Sequence, residues 1–174
     1  PHRYPAAYAD VARAVRLVRR LAPGLGLDRA RIALMGFSAG GHAAVTVATR
    51  PDLYLDPYDD LAGTISARPN RTILAYPVIS MLEQPHPGCL ANLLGPQPDR
   101  SLQEALSAER WVDAYTPPTF IFGTADDAGV PAAHPTATLL IAACAWLAGA
   151  SGRFAFDLRA LRLRQIDLEV MRPR

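Results

Sequence analysis

The stretch GFSAGGH, residues 36–42, decides the fold because it joins two runs of different character. Before it, residues 31–35 read RIALM, a short apolar run bounded by glycine, which predicts a strand buried on both faces. After it, residues 40–49 are mostly small and apolar and predict a helix. A strand, a glycine-rich turn at Ser38 and a helix are together typical of an α/β protein.

The spacing G-x-S-x-G is that of a nucleophile elbow, a strained turn that exposes a serine hydroxyl above the carboxyl edge of a sheet. We expect Gly36 and Gly40 at the flanking positions because larger side chains two residues before and after Ser38 would collide. The following helix would direct its N-terminus at the same place, where the amide of Ala39 could stabilise an oxyanion. A bare G-x-S-x-G also arises by chance as a glycine-rich turn, but the predicted strand and helix around this one favour the elbow.

An amphipathic helix is predicted over residues 5–22, because apolar side chains recur there at spacings of three and four. The residues on its predicted apolar face are Tyr8, Val11, Val15, Val18 and Ala22, and those between them are Arg13, Arg16, Arg19 and Arg20. The sequence PG at residues 23 and 24 should end this helix.

Further strands are predicted over residues 72–78 and 119–122, and a further helix over residues 101–108, opened by a capping box from Ser101 to Glu104. Apolar strands that alternate with helices imply parallel pairing with helical crossovers. We therefore expect a three-layer αβα sandwich with a mostly parallel sheet, as a single but incomplete domain over residues 1–174. Two proline-rich stretches, residues 50–70 and 81–99, are expected to be irregular loops that carry function or cover a site.

The composition argues against several classes of function. Half of the 174 residues are hydrophobic, a fifth are charged and the formal net charge is +2, which gives no reason to expect binding to nucleic acid. No apolar run reaches the roughly 18 residues of a membrane helix, and residues 136–150 are interpreted as a buried helix. Cys89 and Cys144 lie far apart without the spacing of metal ligands, so we expect neither a disulfide framework nor a metal site.

A serine nucleophile needs a base, and the base needs an acid that orients it, in the chain order Ser, Asp or Glu, His. Asp126 and Asp127 follow the predicted strand 119–122, and the spacing D-x-x-V-P favours Asp127 as the acid. Adjacent aspartates are also ordinary loop residues, so the alternative is that neither has a role. Which of the two would point inward is open.

No histidine lies where the base is expected. The histidines are His2, His42, His86 and His134. His42 follows Ser38 by one helical turn and is interpreted as a packed residue, whereas His134 is only seven residues beyond Asp127. His86 precedes the acid and would require an unusual chain order.

The chain resembles the esterase/lipase branch of the α/β-hydrolase superfamily, in particular the BD-FAE-like and acetyl xylan esterase group. The segments that carry the resemblance, in order, are YPAAYADVARAVRLVR, RIALMGFSAGGHAA, ILAYPVISM, NLLG, LSAERWV and PPTFIFGTADDAGVP. The resemblance implies a serine esterase that removes acetyl or other small acyl groups, often from plant-polysaccharide sugars, without a cofactor. It further implies that Ser38 is the nucleophile, Ala39 an oxyanion donor and Asp127 the acid.

The sequence departs from the family at both ends. Members have strands and a His-Gly-Gly-type loop before the elbow, whereas this chain begins after that point. At the other end, SGRFAFDL alternates like the expected last strand, but RALRLRQIDLEV stands where the family has its catalytic histidine loop. We interpret this as a gene fragment with a shifted reading frame after Pro131, or as a domain that has lost its base, and we expect little turnover.

Two other functions fit the same features. One is a serine peptidase of the prolyl-oligopeptidase type, which shares the elbow. The other is a non-catalytic α/β module that binds an acylated sugar or a partner chain. The expected partner is a small-molecule or carbohydrate ester, with no nucleic acid, membrane, metal or cofactor.

Overall fold

The computed structural model describes residues 3–54, 59–123, 127, 129 and 130 of the chain. Its elements are α1 (Ala6–Leu21), β1 (Ala33–Phe37), α2 (Ser38–Thr49), β2 (Arg71–Ala75), α3 (Pro87–Leu94), α4 (Arg100–Ala105) and β3 (Thr119–Phe122), with short 3₁₀ helices at Ala22–Leu25 and Ala108–Trp111. Within these ranges, every helix is too short or too polar to cross a membrane.

The three strands form one parallel sheet in the order β1-β2-β3. Helix α2 connects β1 to β2, and α3 and α4 lie between β2 and β3 in the chain. The prediction of an α/β fold with a parallel sheet and flanking helices is therefore confirmed. Because the strands are parallel, their carboxyl ends, at Phe37, Ala75 and Phe122, meet at one edge of the sheet.

Within the described residues, the three predicted strands are present and lie close to their predicted positions. Strand β3 has the predicted bounds, whereas β1 begins and ends two residues later than predicted. Strand β2 ends at Ala75, three residues before the predicted end, because Tyr76 has a left-handed φ of 35° and a proline follows it.

Burial of β1 on both faces was a wrong prediction. One face of the sheet packs against Ala44 and Val45 of α2, through Leu34, Leu74 and Ile121. On the other face, Met35 is 51% exposed and Phe37 is 49% exposed, although the ring of Phe37 lies 6.1 Å from that of Tyr76. The remaining large exposed side chains of that face are Phe120 and Phe122.

Helix α1 lies where it was predicted, and Tyr8, Val15 and Ala22 of its predicted apolar face are buried. The buried face differs from the prediction in that it takes in Ala12 and Arg16 and leaves out Val18. The buried residues of α1 are Tyr8, Ala12, Val15 and Arg16, whereas Val18 is 45% exposed. Tyr8 and Ala12 join the larger core cluster, together with Val47 of α2 and Met81. An arginine therefore occupies a position that the apolar pattern left to the solvent side.

Arg16 is buried because it is paired. Its Nη1 donates to Oδ2 of Asp59 over 2.9 Å, and its Nε donates to the carbonyl of Ile65 over 3.1 Å. Burial alone would raise the pKa of Asp59, but hydrogen bonds from the Leu61 amide and from Arg16 outweigh burial and hold the pKa below its ordinary value. This ion pair fastens α1 to the long connection between α2 and β2.

Between residues 81 and 111, the predicted helix 101–108 is present as α4 but ends at Ala105. Two further predictions failed there. The capping box was wrong: α4 begins at Arg100, and the carboxylate of Asp99 accepts from both the amide and the hydroxyl of Ser101 over 2.6 Å. The proline-rich stretch 81–99 was expected to be irregular, yet it contains α3. The helix and strand predicted within residues 136–158 lie outside the described residues.

Candidate active site

Ser38 occupies a sharp turn between strand and helix. Phe37, the last residue of β1, has an extended backbone, whereas Ser38 has a left-handed φ of 49° and is the first residue of α2. The carbonyl of Ser38 accepts a hydrogen bond of 3.1 Å from the amide of Val78, which follows β2. Such a backbone costs about 1–3 kcal/mol and persists only where the surroundings enforce it, often at functional sites. The half-buried Ser38 thus lies at the carboxyl edge of the sheet.

The glycines around Ser38 differ in how strictly the turn requires them. A Cβ on Gly36 would overlap the carbonyl oxygen of Gly40 and lie 2.7 Å from its carbonyl carbon. A Cβ on Gly40 would have no heavy atom within 4 Å outside its own helix backbone, so the expected collision at this position does not occur. The structure adds Gly41, where a Cβ would lie 2.7 Å from the Cβ of Pro77.

The N-terminus of α2 presents backbone amides beside Ser38. Ala39 and Gly40 are exposed and belong to the first helical turn, whose amides have no acceptor within the helix. Phe37, at the N-cap, has no side chain that could accept from them. Because amides and the helix dipole both favour negative charge, this edge of the sheet can stabilise an oxyanion.

Asp127 follows β3 in the chain and is half-buried. Its Oδ1 accepts hydrogen bonds from the amides of Gly129 and Val130, over 2.8 and 3.0 Å. Val130 in turn packs against the larger core cluster, which anchors this turn to the body of the protein. Both hydrogen bonds use one carboxylate oxygen. Asp126, the alternative acid, lies outside the described residues.

His42 is fully buried and both of its ring nitrogens are engaged. Nε2 lies 2.8 Å from the carbonyl of Leu106, and Nδ1 lies 2.8 Å from the hydroxyl of Tyr8. Because a carbonyl can only accept, Nε2 carries the proton and Nδ1 accepts from the tyrosine. Burial lowers the pKa of His42 to about 4, against a smaller opposing effect of the bond to Leu106. His42 is thus the packed residue that was expected, and it offers no nitrogen to a substrate.

His86 has a role that the sequence analysis missed. It is the N-cap of α3, and its Nδ1 accepts from the amide of Cys89 over 3.1 Å. Pro87 at the first helical position was the local signal for this helix start. His2 and His134 lie outside the described residues, and Cys89 forms no disulfide with any residue inside them. The described part of the chain holds no cluster of three metal-ligating side chains.

The burial of His42 makes the stability depend on pH. In the unfolded chain this histidine binds a proton below about pH 6.5, whereas in the folded chain it stays neutral down to about pH 4. We expect its contribution to be fully present above pH 6.5 and to fall by about 3 kcal/mol in total between pH 6.5 and 4. The free energy of unfolding, measured in urea at several pH values, gives the slope of stability against pH. In His42→Gln, the part of this slope that is due to His42 should be absent. Equal slopes in the two proteins would contradict it.

Residues 1–140 match the BD-FAE family. Endo-1,4-beta-xylanase B of Butyrivibrio fibrisolvens is 38% identical over 122 residues, which are 70% of this chain and 19% of that protein. The acetylxylan esterase of Xylanibacter ruminicola is 36% identical over 126 residues, which are 70% of this chain and 24% of that protein.

Among solved structures, the acetyl ester-xyloside bifunctional hydrolase from Caldicellulosiruptor lactoaceticus superposes with a TM-score of 0.73 at 40% identity. The superposition covers 82% of this chain and 52% of that one. The chain thus spans about half of this structure and no more than a quarter of the two curated relatives.

Proposed function

The chain belongs to the BD-FAE family of α/β-hydrolase carbohydrate esterases, and from this premise we propose that it is a serine carboxylic-ester hydrolase acting through Ser38. Its proposed substrates are acetyl or other small acyl esters on plant-polysaccharide sugars such as xylan. The names of the acetylxylan esterase and of the acetyl ester-xyloside hydrolase support this substrate class. No cofactor is required by this chemistry.

The observation that carries the proposal is the left-handed backbone of Ser38 between β1 and α2. In the reaction, Oγ of Ser38 bonds to the ester carbonyl carbon and loses its proton to a base. The bond to the sugar oxygen then breaks, and the sugar leaves with a proton. Water attacks the acyl-enzyme, releases the carboxylic acid and restores the serine. The amide of Ala39 stabilises the oxyanion in both halves of the reaction.

We propose Asp127 as the acid because it follows β3 in the chain. The carboxyl end of β3 lies at the same edge of the sheet as Ser38. Oδ1 of Asp127 holds the turn to Gly129 and Val130, so Oδ2 is the oxygen that would orient a base. His42 does not fill the position of the base, because Tyr8 and Leu106 engage its ring. We therefore expect slow turnover, since loss of a triad member leaves only about 10³–10⁴-fold catalysis over water.

Hydrolysis of p-nitrophenyl acetate by the chain and by Ser38→Ala tests the proposal. We expect a slow rate above background in the native chain and none in the variant, because only Oγ of Ser38 can form the acyl-enzyme. Ser101→Ala is the matched control, since it removes an exposed serine hydroxyl on α4 and should keep the native rate. Release of acetate from acetylated xylo-oligosaccharides then tests whether the substrate is an acylated sugar.

Two outcomes would contradict the proposal. Equal rates in the native chain and in Ser38→Ala would mean that Ser38 is no nucleophile, and binding of an acylated sugar without turnover would favour the non-catalytic module. Cleavage of prolyl peptides, but not of acetyl esters, would favour the peptidase.

A further inference from the structure

The first turn of α2 has little to hold it in place by side chains. Residues 38–41 are serine, alanine and two glycines, so His42 is the first large side chain of the helix. The strained φ of Ser38 must nevertheless be enforced by its surroundings. The amide of Val78 holds the carbonyl of Ser38 from one side. The side chain of His42 supplies hydrogen bonds one helical turn further on.

His42 joins three parts of the fold. Nδ1 accepts from Tyr8 of α1, while Nε2 donates to the carbonyl of Leu106, directly after α4. The segment around Leu106 is itself fixed, because the amide of Ala108 donates to the carbonyl of Ile79 over 3.2 Å. His42 therefore connects the nucleophile helix to α1 and to a segment bound to the chain beyond β2.

The surroundings keep this connection uncharged. Tyr8 stacks on Tyr54 at 5.0 Å between ring centroids and lies 5.9 Å from Tyr4. Burial raises the pKa of Tyr8, which bonds to the ring of His42, and also raises the pKa of Tyr54 and Cys89. Burial lowers the pKa of His42, and the bond to the Leu106 carbonyl opposes this to a smaller extent. A neutral imidazole with a fixed tautomer is thus the form that suits the site.

We propose that His42 is a positioning residue of the nucleophile turn, which ties the start of α2 to α1 and to Leu106 as the Nε2–H tautomer and so holds Ser38 in its left-handed conformation. The consequence for catalysis rests on the proposed esterase function. The structural part, the tautomer and the tie, does not depend on it.

The tautomer is measured on the native chain by long-range proton–nitrogen correlation spectra of the imidazole. We expect a protonated Nε2 and a bare Nδ1, unchanged from pH 8 to pH 5. A protonated Nδ1, or an imidazolium at pH 6, would overturn the proposal, because the Leu106 carbonyl or the Tyr8 hydroxyl would then lose its partner. This test needs no variant and no activity.

A matched pair of variants tests the two hydrogen bonds that connect His42 to Tyr8 and to Leu106. His42→Asn keeps an acceptor near the place of Nδ1, and His42→Gln keeps a donor near the place of Nε2, so each retains one bond. We expect amide exchange at Ala43 and Ala44 to rise about tenfold in each variant relative to Val47 and Ala48, as one lost hydrogen bond would predict. His86→Gln, at the N-cap of α3, should leave this ratio unchanged.

The outcomes separate positioning from general stability. A uniform rise of exchange along α2 would show that His42 only stabilises the whole fold, and would overturn the proposal. If the ratio changes as expected while Ser38 proves unreactive in the native chain, the tie stands and the esterase function fails. If Ser38 reacts equally fast in the native chain and in both variants, positioning is overturned while the esterase function stands.

Discussion

Replacing Gly36 with alanine is expected to destabilise the chain by about 3 kcal/mol or more. The new Cβ would overlap the carbonyl oxygen of Gly40 and lie 2.8 Å from the Cα of Gly41. Both neighbours are backbone atoms of α2, so no side-chain rotation can relieve the overlap. The strand and the helix would have to separate, and the turn at Ser38 would be lost with them.

Urea unfolding and circular dichroism of Gly36→Ala measure this effect. Gly40→Ala is the matched control, because it adds the same methyl group on the other side of Ser38, where no heavy atom outside the backbone of α2 lies within 4 Å. The free energy of unfolding of this control should be unchanged or higher by about 0.5–1 kcal/mol, since alanine stabilises a helix relative to glycine. Equal stability of the two variants would mean that the turn does not have the geometry described.

Asp59→Asn is expected to cost about 3–5 kcal/mol, as removal of one partner from a buried ion pair does. The side chain of Arg16 is 1% exposed and that of Asp59 is inaccessible. Asparagine keeps the size of the side chain but removes its charge, so the guanidinium of Arg16 would stay buried without a counter-charge. Helix α1 would then lose its buried ion pair with the connection from α2 to β2, while the bond from Arg16 to the Ile65 carbonyl remains.

The neighbouring residue supplies the control for this prediction. Arg13 pairs with Asp59 over 2.6 Å and with Asp60 over 2.9 Å, but the side chain of Asp60 is 75% exposed. Asp60→Asn should therefore change the free energy of unfolding by no more than about 0.5 kcal/mol. If the two variants have equal free energies of unfolding in urea, the buried pair of Arg16 and Asp59 contributes no more to stability than the exposed pair of Arg13 and Asp60.

The features that could be predicted from the sequence are those with local causes. The described strands, α1 and the turn at Ser38 depend on residues that are close together in the sequence. Their predicted positions were correct to within a few residues. The start of α3 also had a local signal, Pro87 after His86, which the proline-rich composition of the stretch concealed.

The features that could not be predicted depend on partners far away in the chain. Arg16 is buried because Asp59, 43 residues later, pairs with it. Gly41 is required because Pro77 approaches it, and no local pattern shows that contact. The tautomer of His42 is set by Leu106, which lies 64 residues later. The roles of Ser38, Ala39 and Asp127 in catalysis stay predictions.

Covalent labelling of Ser38 tests the central claim most directly. A fluorophosphonate in excess is added to the folded chain, so that Oγ of Ser38 bonds to phosphorus and fluoride leaves, and the mass of the chain is recorded before peptide mapping. We expect a single adduct, formed slowly, on Ser38, which is absent in Ser38→Ala and in the urea-unfolded chain. A folded chain without this adduct, or with adducts spread over its other serines, would contradict it.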